Sequence, residues 1–495
     1  SSEEEMTDLM LEMPAVEFGD WGVVPYQDAM AIFASHLAYW DDEAVISAEK
    51  ERRAMIEAAR RYYDGRHVKP LKVDPGQPDD NIIVNLCRTI VDDSASWLFG
   101  DPETGQITFE VEAEDGAGER GNWFDEFWEQ SGGLRLLKRL AKRGGIAGHA
   151  FAKLVEPDEG EIYPRVVGLD PLQMAVRTAP GDSEMPVAYK MEWTGYEIAL
   201  GTINKREEYI YRQLTAQAGE SESGEPFWMI AEYKAKNRSK KKWELINGPY
   251  GWPWPWSPIH DCQNVDSPWG YYGLSDLEDI AWLNDNLNFI ASNTMRILKF
   301  HAHPKTIGTG FQAGEVQDTA VDGFWSVPAA EAKIYNLEMQ SDLQSSMSFL
   351  DFVRGAFWTI GRGMDVSVYK DKIGSITNFA LRVLAIRSLN KMGDKRISYG
   401  KLLRDINKHA QEMAGIVEPV DTVINWPVPL PVSEQETMQT LQQEVALEIT
   451  SKQTAAEERG RSWEKERERI QQEKQANVSL GEYVLQQFDR GNDRE

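Results

Sequence analysis

The chain has 495 residues, 41% of them hydrophobic, which is enough for several domains with cores of their own. Its 53 Lys and Arg stand against 80 Asp and Glu, a net charge of −27. That excludes a protein gripping nucleic acid over a broad basic surface, though not one past which nucleic acid slides. Cys87 and Cys262 give no disulfide framework and fit a reducing compartment. The first residues lack the basic and apolar regions of a signal peptide, and no apolar run reaches eighteen residues. The expectation is a soluble, acidic, intracellular protein that spans no membrane.

Residues 1–45 are acidic with scattered aromatics and read as an arm. Ala48, Met55, Ile56, Ala59 and Tyr63 among charged positions predict a helix over 44–63, ended by Asp64-Gly65. Asn81–Asn85 is short, β-branched and strand-like, and Leu86–Phe99 reads as a helix stopping at Gly100. Residues 106–111 alternate as a strand, and Asn122–Leu140 as one amphipathic helix. Strands follow over His149–Val155, Tyr163–Leu169, Ala188–Trp193 and Glu208–Leu214. Helices and strands come in blocks, which predicts an α+β body rather than a doubly wound sheet. In 251–258, Gly-Trp-Pro-Trp-Pro-Trp-Ser-Pro, alternating prolines fix an extended segment whose indoles are expected to pack on the body.

Ser275…Glu278 is a capping-box pattern ahead of Leu277, Ile280, Ala281, Leu287, Ile290, Ala291, Thr294 and Leu298 at helical spacing. A helix of about 36 Å is expected there, closed by Pro304. Short strands are predicted at Lys305–Thr309, Phe324–Val327 and Ala332–Met339. Ser341…Gln344 opens a second helix with Leu343, Met347, Leu350, Val353 and Phe357 on one face, ended by Gly361 and Gly363. A charged loop with Lys370-Asp371-Lys372 comes next, then a helical tract from Ser375 to about Ala414 with bends expected at Gly393 and Gly400. Trp426–Pro431 is a stiff linker, Ser433…Glu436 caps a helix to about Ile449, and Ser462–Gln475 is nearly all charge and Gln.

Chemical motifs are weak. Gly100 and Gly105 have P-loop spacing, but Gln106-Ile107 stand where Lys-Ser/Thr is needed. Gly116-Ala117-Gly118-Glu119-Arg120-Gly121 has dinucleotide-binding spacing, yet Glu112, Glu114, Asp115 and Glu119 would repel a pyrophosphate. His301-Ala302-His303 has no third ligand nearby, and carboxylate pairs such as Asp92-Asp93 and Asp125-Glu126 read as solvated faces. No enzyme activity, cofactor or metal is expected.

Four segments carry a family resemblance. Tyr62-Tyr63-Asp64-Gly65, then Asn81 to Asn85, Ile90-Val91-Asp92 and Gly100-Asp101-Pro102, resemble the amino-terminal signature of the portal proteins of tailed bacteriophages. Tyr163-Pro164 with Leu169-Asp170-Pro171 resembles the strand pair of their wing domain, and Tyr272–Leu277 is similar to the approach to their stem. Pro431–Glu434 through Ser451…Thr454, then Glu464–Glu473, resembles their crown. The order and spacing hold from about residue 50 to 475.

The resemblance implies a ring of α+β portal subunits, twelve-fold in the capsid. Beyond the arm over 1–45, which departs from the family pattern as the Trp-Pro segment does, it implies a wing over 46–273 and 377–432, stem helices over 274–299 and 342–360, a small α/β clip over 300–341, a tunnel loop over 361–376 and a helical crown over 433–495. Expected partners are the terminase large subunit, a head-completion or adaptor protein, major capsid and scaffolding proteins, and double-stranded DNA bound without sequence preference. The location implied is the portal vertex of the virion, after assembly in the host cytoplasm. Twelve copies of −27 would put 324 net negative charges on the ring, a wall of DNA's own sign that sets no deep electrostatic trap. Lys370 and Lys372, flanking Asp371, are the expected DNA-channel residues, with Arg296 and Lys299 as further channel candidates. Two other readings compete: a carbohydrate-active enzyme, Trp-rich and acidic, and a generic capsid or scaffold component.

Overall fold

The computed structural model describes residues 26–73, 75–76, 79–103, 105–111, 117–198, 206–220, 224–236, 242–302, 305–309, 333–337, 343–365, 367, 378–430, 434–447, 451, 453–454, 463 and 465–471. It divides into two units: residues 1–375 with 383–429, and residues 376–382 with 430–495.

The larger unit opens with α1 (Tyr26–Asp41) and α2 (Glu43–Tyr63). Asp42 ends one and caps the other, its carboxylate accepting from the Ala44 and Val45 amides at 2.8 and 3.4 Å. The arm expected over 1–45 is therefore helical from residue 26, and residues 1–25 lie outside the described ones. α3 (Leu86–Phe99) is capped by Asn85, followed by the two-residue strands β1 (Gly100–Asp101) and β2 (Gly105–Gln106), then β3 (Thr108–Val111). The single helix expected over Asn122–Leu140 is two, α4 (Ala117–Ser131) and α5 (Gly133–Ala147). Gly132 and Gly133 take φ of 109° and 52°, backbone that a continuing helix cannot hold.

Strands β4 (His149–Val155), β5 (Arg165–Leu169), β6 (Met174–Ala179), β7 (Asp182–Ile198), β8 (Arg206–Glu220), β9 (Pro226–Ala235), β10 (Glu244–Gly251) and β11 (Ile259–Gln263) form two antiparallel sheets. Their orders are β10-β9-β8-β7-β6 and β11-β4-β5. Period-two alternation sorts the five-stranded sheet between two cores. Phe227, Met229 and Ala231 pack with Leu214, Ala216 and Ala218 against Phe33 and Trp40 of α1. Trp228 and Ile230, pointing the other way, join a core of α4, α5 and β4. Ala150, Phe151 and Ala152, which alternate between the faces of β4, are all buried, so both faces of this strand are covered.

Beyond β11 come α6 (Ala281–Ala302), the hairpin of β12 (Lys305–Thr309) and β13 (Lys333–Leu337), α7 (Leu343–Ile360), α8 (Asn378–Leu384), α9 (Ile386–Met413) and β14 (Thr422–Asn425), which pairs with β3. The break in the long helical tract falls at Ala385, and Gly393 and Gly400 continue the helix. Residues 324–327, expected as a strand, lie outside the described residues. Trp252, Trp254 and Trp256 stack on one another and on the core, as the alternating prolines imply. The smaller unit contains α10 (Glu434–Ala446) and helical residues 465–471, with Ser451 Oγ accepting from the Thr454 amide at 3.1 Å between them.

Candidate functional site

Ser275 does not cap α6. Its hydroxyl accepts from the Leu277 amide (3.1 Å) and reaches the Gly145 and Ile146 carbonyls of α5 (3.0 and 2.7 Å), while the Asp276 amide donates to Gly145 O (2.8 Å). The last carbonyls of a helix have no partner within it, so the approach to α6 is consumed in closing the end of α5 and the helix starts later, at Ala281. The backbones meet closely at Gly148, φ 82°, where a Cβ would stand 2.3 Å from the Gly273 carbonyl.

Asp276 then sits at a buried charged junction. Its two oxygens meet Lys391 Nζ at 3.0 Å and Lys395 Nζ at 2.6 Å, with Asn264 Nδ2 donating at 3.1 Å. Lys391 also donates to the Gly361 carbonyl at the end of α7 (3.1 Å). Asp276 thus ties the approach to α6 to α9, and Lys391 ties the end of α7 to the same helix. Burial alone would raise the Asp276 pKa, but Lys391 and Lys395 outweigh it and hold it at about 2. Burial pulls Lys395 down to about 8 although Asp276 opposes it.

A second device runs along α6. Asn284, Asn288 and Ser292 are fully buried at i, i+4, i+8, and their side chains read the backbone of Ile82–Leu86. The Leu86, Val84 and Ile82 amides donate to Asn284 Oδ1, Asn288 Oδ1 and Ser292 Oγ at 3.0, 2.8 and 2.9 Å. Asn284 Nδ2 and Ser292 Oγ give back to the Val84 and Ile82 carbonyls at 2.8 and 3.3 Å. Four helical residues advance about 6 Å and two extended residues about 6.6 Å, so every rung keeps register. The segment read as a strand is therefore extended but joins no sheet among the described residues; helix side chains take the place of a neighbouring strand. The sequence signal was available in two parts, the Asn-x-x-x-Asn spacing of 81–85 and the polar i, i+4, i+8 row inside an apolar helix.

Where α6 and α7 face each other, Leu277, Ile280, Leu283, Leu287, Val353 and Phe357 share a core with Cys87, Ile90 and Val91. Elsewhere each helix bares an apolar stripe. Trp282 (58% exposed) and Phe289 lie seven residues apart on α6, and Phe349, Phe352 (69% exposed) and Ile360 run along α7 with the two phenylalanines stacked at 6.2 Å. A monomer seldom leaves aromatic rows like these in water.

Of the sequence-predicted channel residues, Lys370, Asp371 and Lys372 lie outside the described residues. Arg296 is half-buried on α6, on the side of Phe289. Lys299 Nζ bonds both oxygens of Asp80, at 2.9 and 3.1 Å, so its charge is set against a carboxylate of its own chain.

A polar cavity of about 570 Å³ is lined by Asp261, which accepts from His149 Nε2 (2.6 Å), Tyr189 OH (2.8 Å) and Tyr271 OH (2.5 Å). Burial would raise its pKa, but these donors lower it. A glycosidase general acid needs the opposite shift.

No curated protein matches the chain. Among solved structures it is similar, at 14% identity and a TM-score of 0.42, to a chain from the neck of an empty GTA particle computed with C6 symmetry; the match covers 76% of this chain and 88% of that one. Residues 42–479, nearly the whole length, match the family described as phage portal protein, SPP1 Gp6-like. The chain belongs to that family of phage portal proteins.

Proposed function

We propose that the chain is the repeating subunit of a portal ring, with α6 and α7 as its stem, β12–β13 as the framework of its clip and the two larger sheets in its wing. The observation that carries this reading is the pair of uncovered apolar stripes on α6 and α7. A head-to-tail repeat sets the stripe of one copy against that of the next, and such contacts close into a ring when the rotation permits. The family is structural, and this reading needs no catalysis.

In that ring DNA passes during packaging and ejection along a wall dominated by carboxylates. Lys370 and Lys372 on the tunnel loop supply brief phosphate contacts without reading bases. The clip docks the terminase large subunit and later an adaptor protein; the wing meets capsid and scaffolding proteins at the portal vertex. The first experiment is the native mass of the full chain with an end-on image. Twelve copies of 56.2 kDa, about 670 kDa with a central hole, are expected. Trp282→Asp with Phe352→Asp should leave a folded subunit and no ring, since exposed positions change stability by only about 0.5 kcal/mol. A ring formed as well by that variant refutes the stripe as the contact, and a wild-type monomer at high concentration with scaffold present refutes the ring.

A further inference from the structure

In a chain of net charge −27, α5 carries five cations, Arg135, Lys138, Arg139, Lys142 and Arg143, and no acidic residue. Leu136, Leu137, Leu140 and Ala141 are buried, so the cations form its outer face. Lys138 and Lys142 pair with Asp101 and Asp92 (3.4 and 2.8 Å), and nearby Arg60 pairs with Asp170 (2.6 Å). Arg135 and Arg139 are exposed, one turn and about 6 Å apart, with no ion pair among the described residues. Arg143 donates to the Gly168 carbonyl at 2.5 Å; burial lowers its pKa, and Arg139 and Arg60 add to that against Asp170. The guanidinium groups are therefore close enough to repel one another. An anionic partner would relieve that repulsion beyond what water and counter-ions screen.

The same unit presents one. The loop between β4 and β5 exposes Glu156, Asp158, Glu159 and Glu161, contains no cation, and makes no ion pair among the described residues. It is held at its far end, where Tyr163 OH donates to Glu126 and the Val166 amide to Ser131 Oγ (3.0 Å). Within one chain the two surfaces make no ion pair with each other. Two free arginines facing a short run of carboxylates suit forked guanidinium–carboxylate contacts.

We propose that the basic face of α5 docks onto the acidic Glu156–Glu161 loop of a neighbouring copy of this chain. This rests on the ring reading above and names one contact within it. The contact lets strongly acidic copies approach without a like-charge barrier. A duplex is the competing occupant, and loss of duplex binding in the arginine variant is the outcome that would assign the face to it.

The test compares full-length chains by native mass across concentration at low ionic strength, with thermal unfolding checking the fold. Arg135→Glu/Arg139→Glu and, separately, Glu156→Lys/Asp158→Lys/Glu159→Lys should each raise the concentration needed for assembly about tenfold or more. A chain carrying both sets regains complementarity in a head-to-tail contact and should assemble within about threefold of wild type. Unchanged assembly of the arginine variant overturns the proposal and leaves the ring reading standing. So does failure of the combined chain to recover, or unchanged assembly with loss of duplex binding, which would assign the face to nucleic acid. Absence of a wild-type ring overturns the ring reading and this contact with it.

Discussion

Replacing Asp276 by Asn tests the junction that fixes the approach to α6 onto α9. The substitution keeps size and removes the charge facing Lys391 and Lys395, whose side chains are 7% and 2% exposed. Breaking a buried pair by deleting one partner costs about 3–5 kcal/mol. An independent limit comes from proton release. A lysine of ordinary pKa about 10.4 made neutral at pH 7 costs about 4–5 kcal/mol, at about 1.36 kcal/mol per unit. Lys395 has moved part of that way already, since burial brings it to about 8 with the carboxylate present. The lysine figure is therefore only an upper limit, and the loss expected is the buried-pair value of about 4 kcal/mol. With about 2 cal/mol/K per residue over roughly 400 residues, the melting temperature of the larger unit should fall by about 5 °C. Thermal unfolding at pH 7 measures it. Adding Lys395→Met should recover more than half the loss, because the stranded ammonium is gone. A Tm within 1 °C of wild type for Asp276→Asn, or a double variant no better than the single, refutes the account of a charged junction.

Further expectations concern the ladder, acidity and the channel. Asn288→Leu removes the partner of the Val84 amide and should cost about 0.5–1.5 kcal/mol, with faster hydrogen exchange at Val84 than in the β4 amides; equal protection would show the rung to be idle. Burial lowers His36 and His260 to about 4 and His409 to about 3. The folded chain then binds fewer protons than the unfolded one between those values and about 6.5, so stability should fall as pH drops through that window. His409 stacks on Trp256 at 4.2 Å and bonds His260 at 2.6 Å, so His409→Phe should flatten part of the slope in melts from pH 7 to 4; an unchanged slope counts against it. Lys370→Ala/Lys372→Ala should leave ring assembly intact and alter packaging or DNA retention, and unchanged yields of both would remove the role given to these lysines.

Local pattern was enough for most helices and strands of this chain. Leu86–Phe99 and His149–Val155 have the bounds their spacing predicts, because cap residues and period-two alternation act within a few neighbouring residues. The family signature was legible too, since it depends on the order of short motifs along the chain. What local pattern could not supply was the partner of each polar group. Ser275…Glu278 has the form of a capping box, yet the α5 carbonyls 130 residues earlier compete for the same hydroxyl and win. Asn81–Asn85 has the composition of a strand, but its edge is met by Asn284, Asn288 and Ser292, a match set by the rise of a helix against that of an extended chain. Nothing adjacent to Asp276 announces Lys391 and Lys395, whose pairing exists only once α9 is buried against the approach to α6. Sequence alone determined most of the segments that become helix or strand, because those choices are largely local. The tertiary structure decided which polar groups are satisfied and which apolar stripes stay bare, because burial and its partners are defined only when distant segments meet.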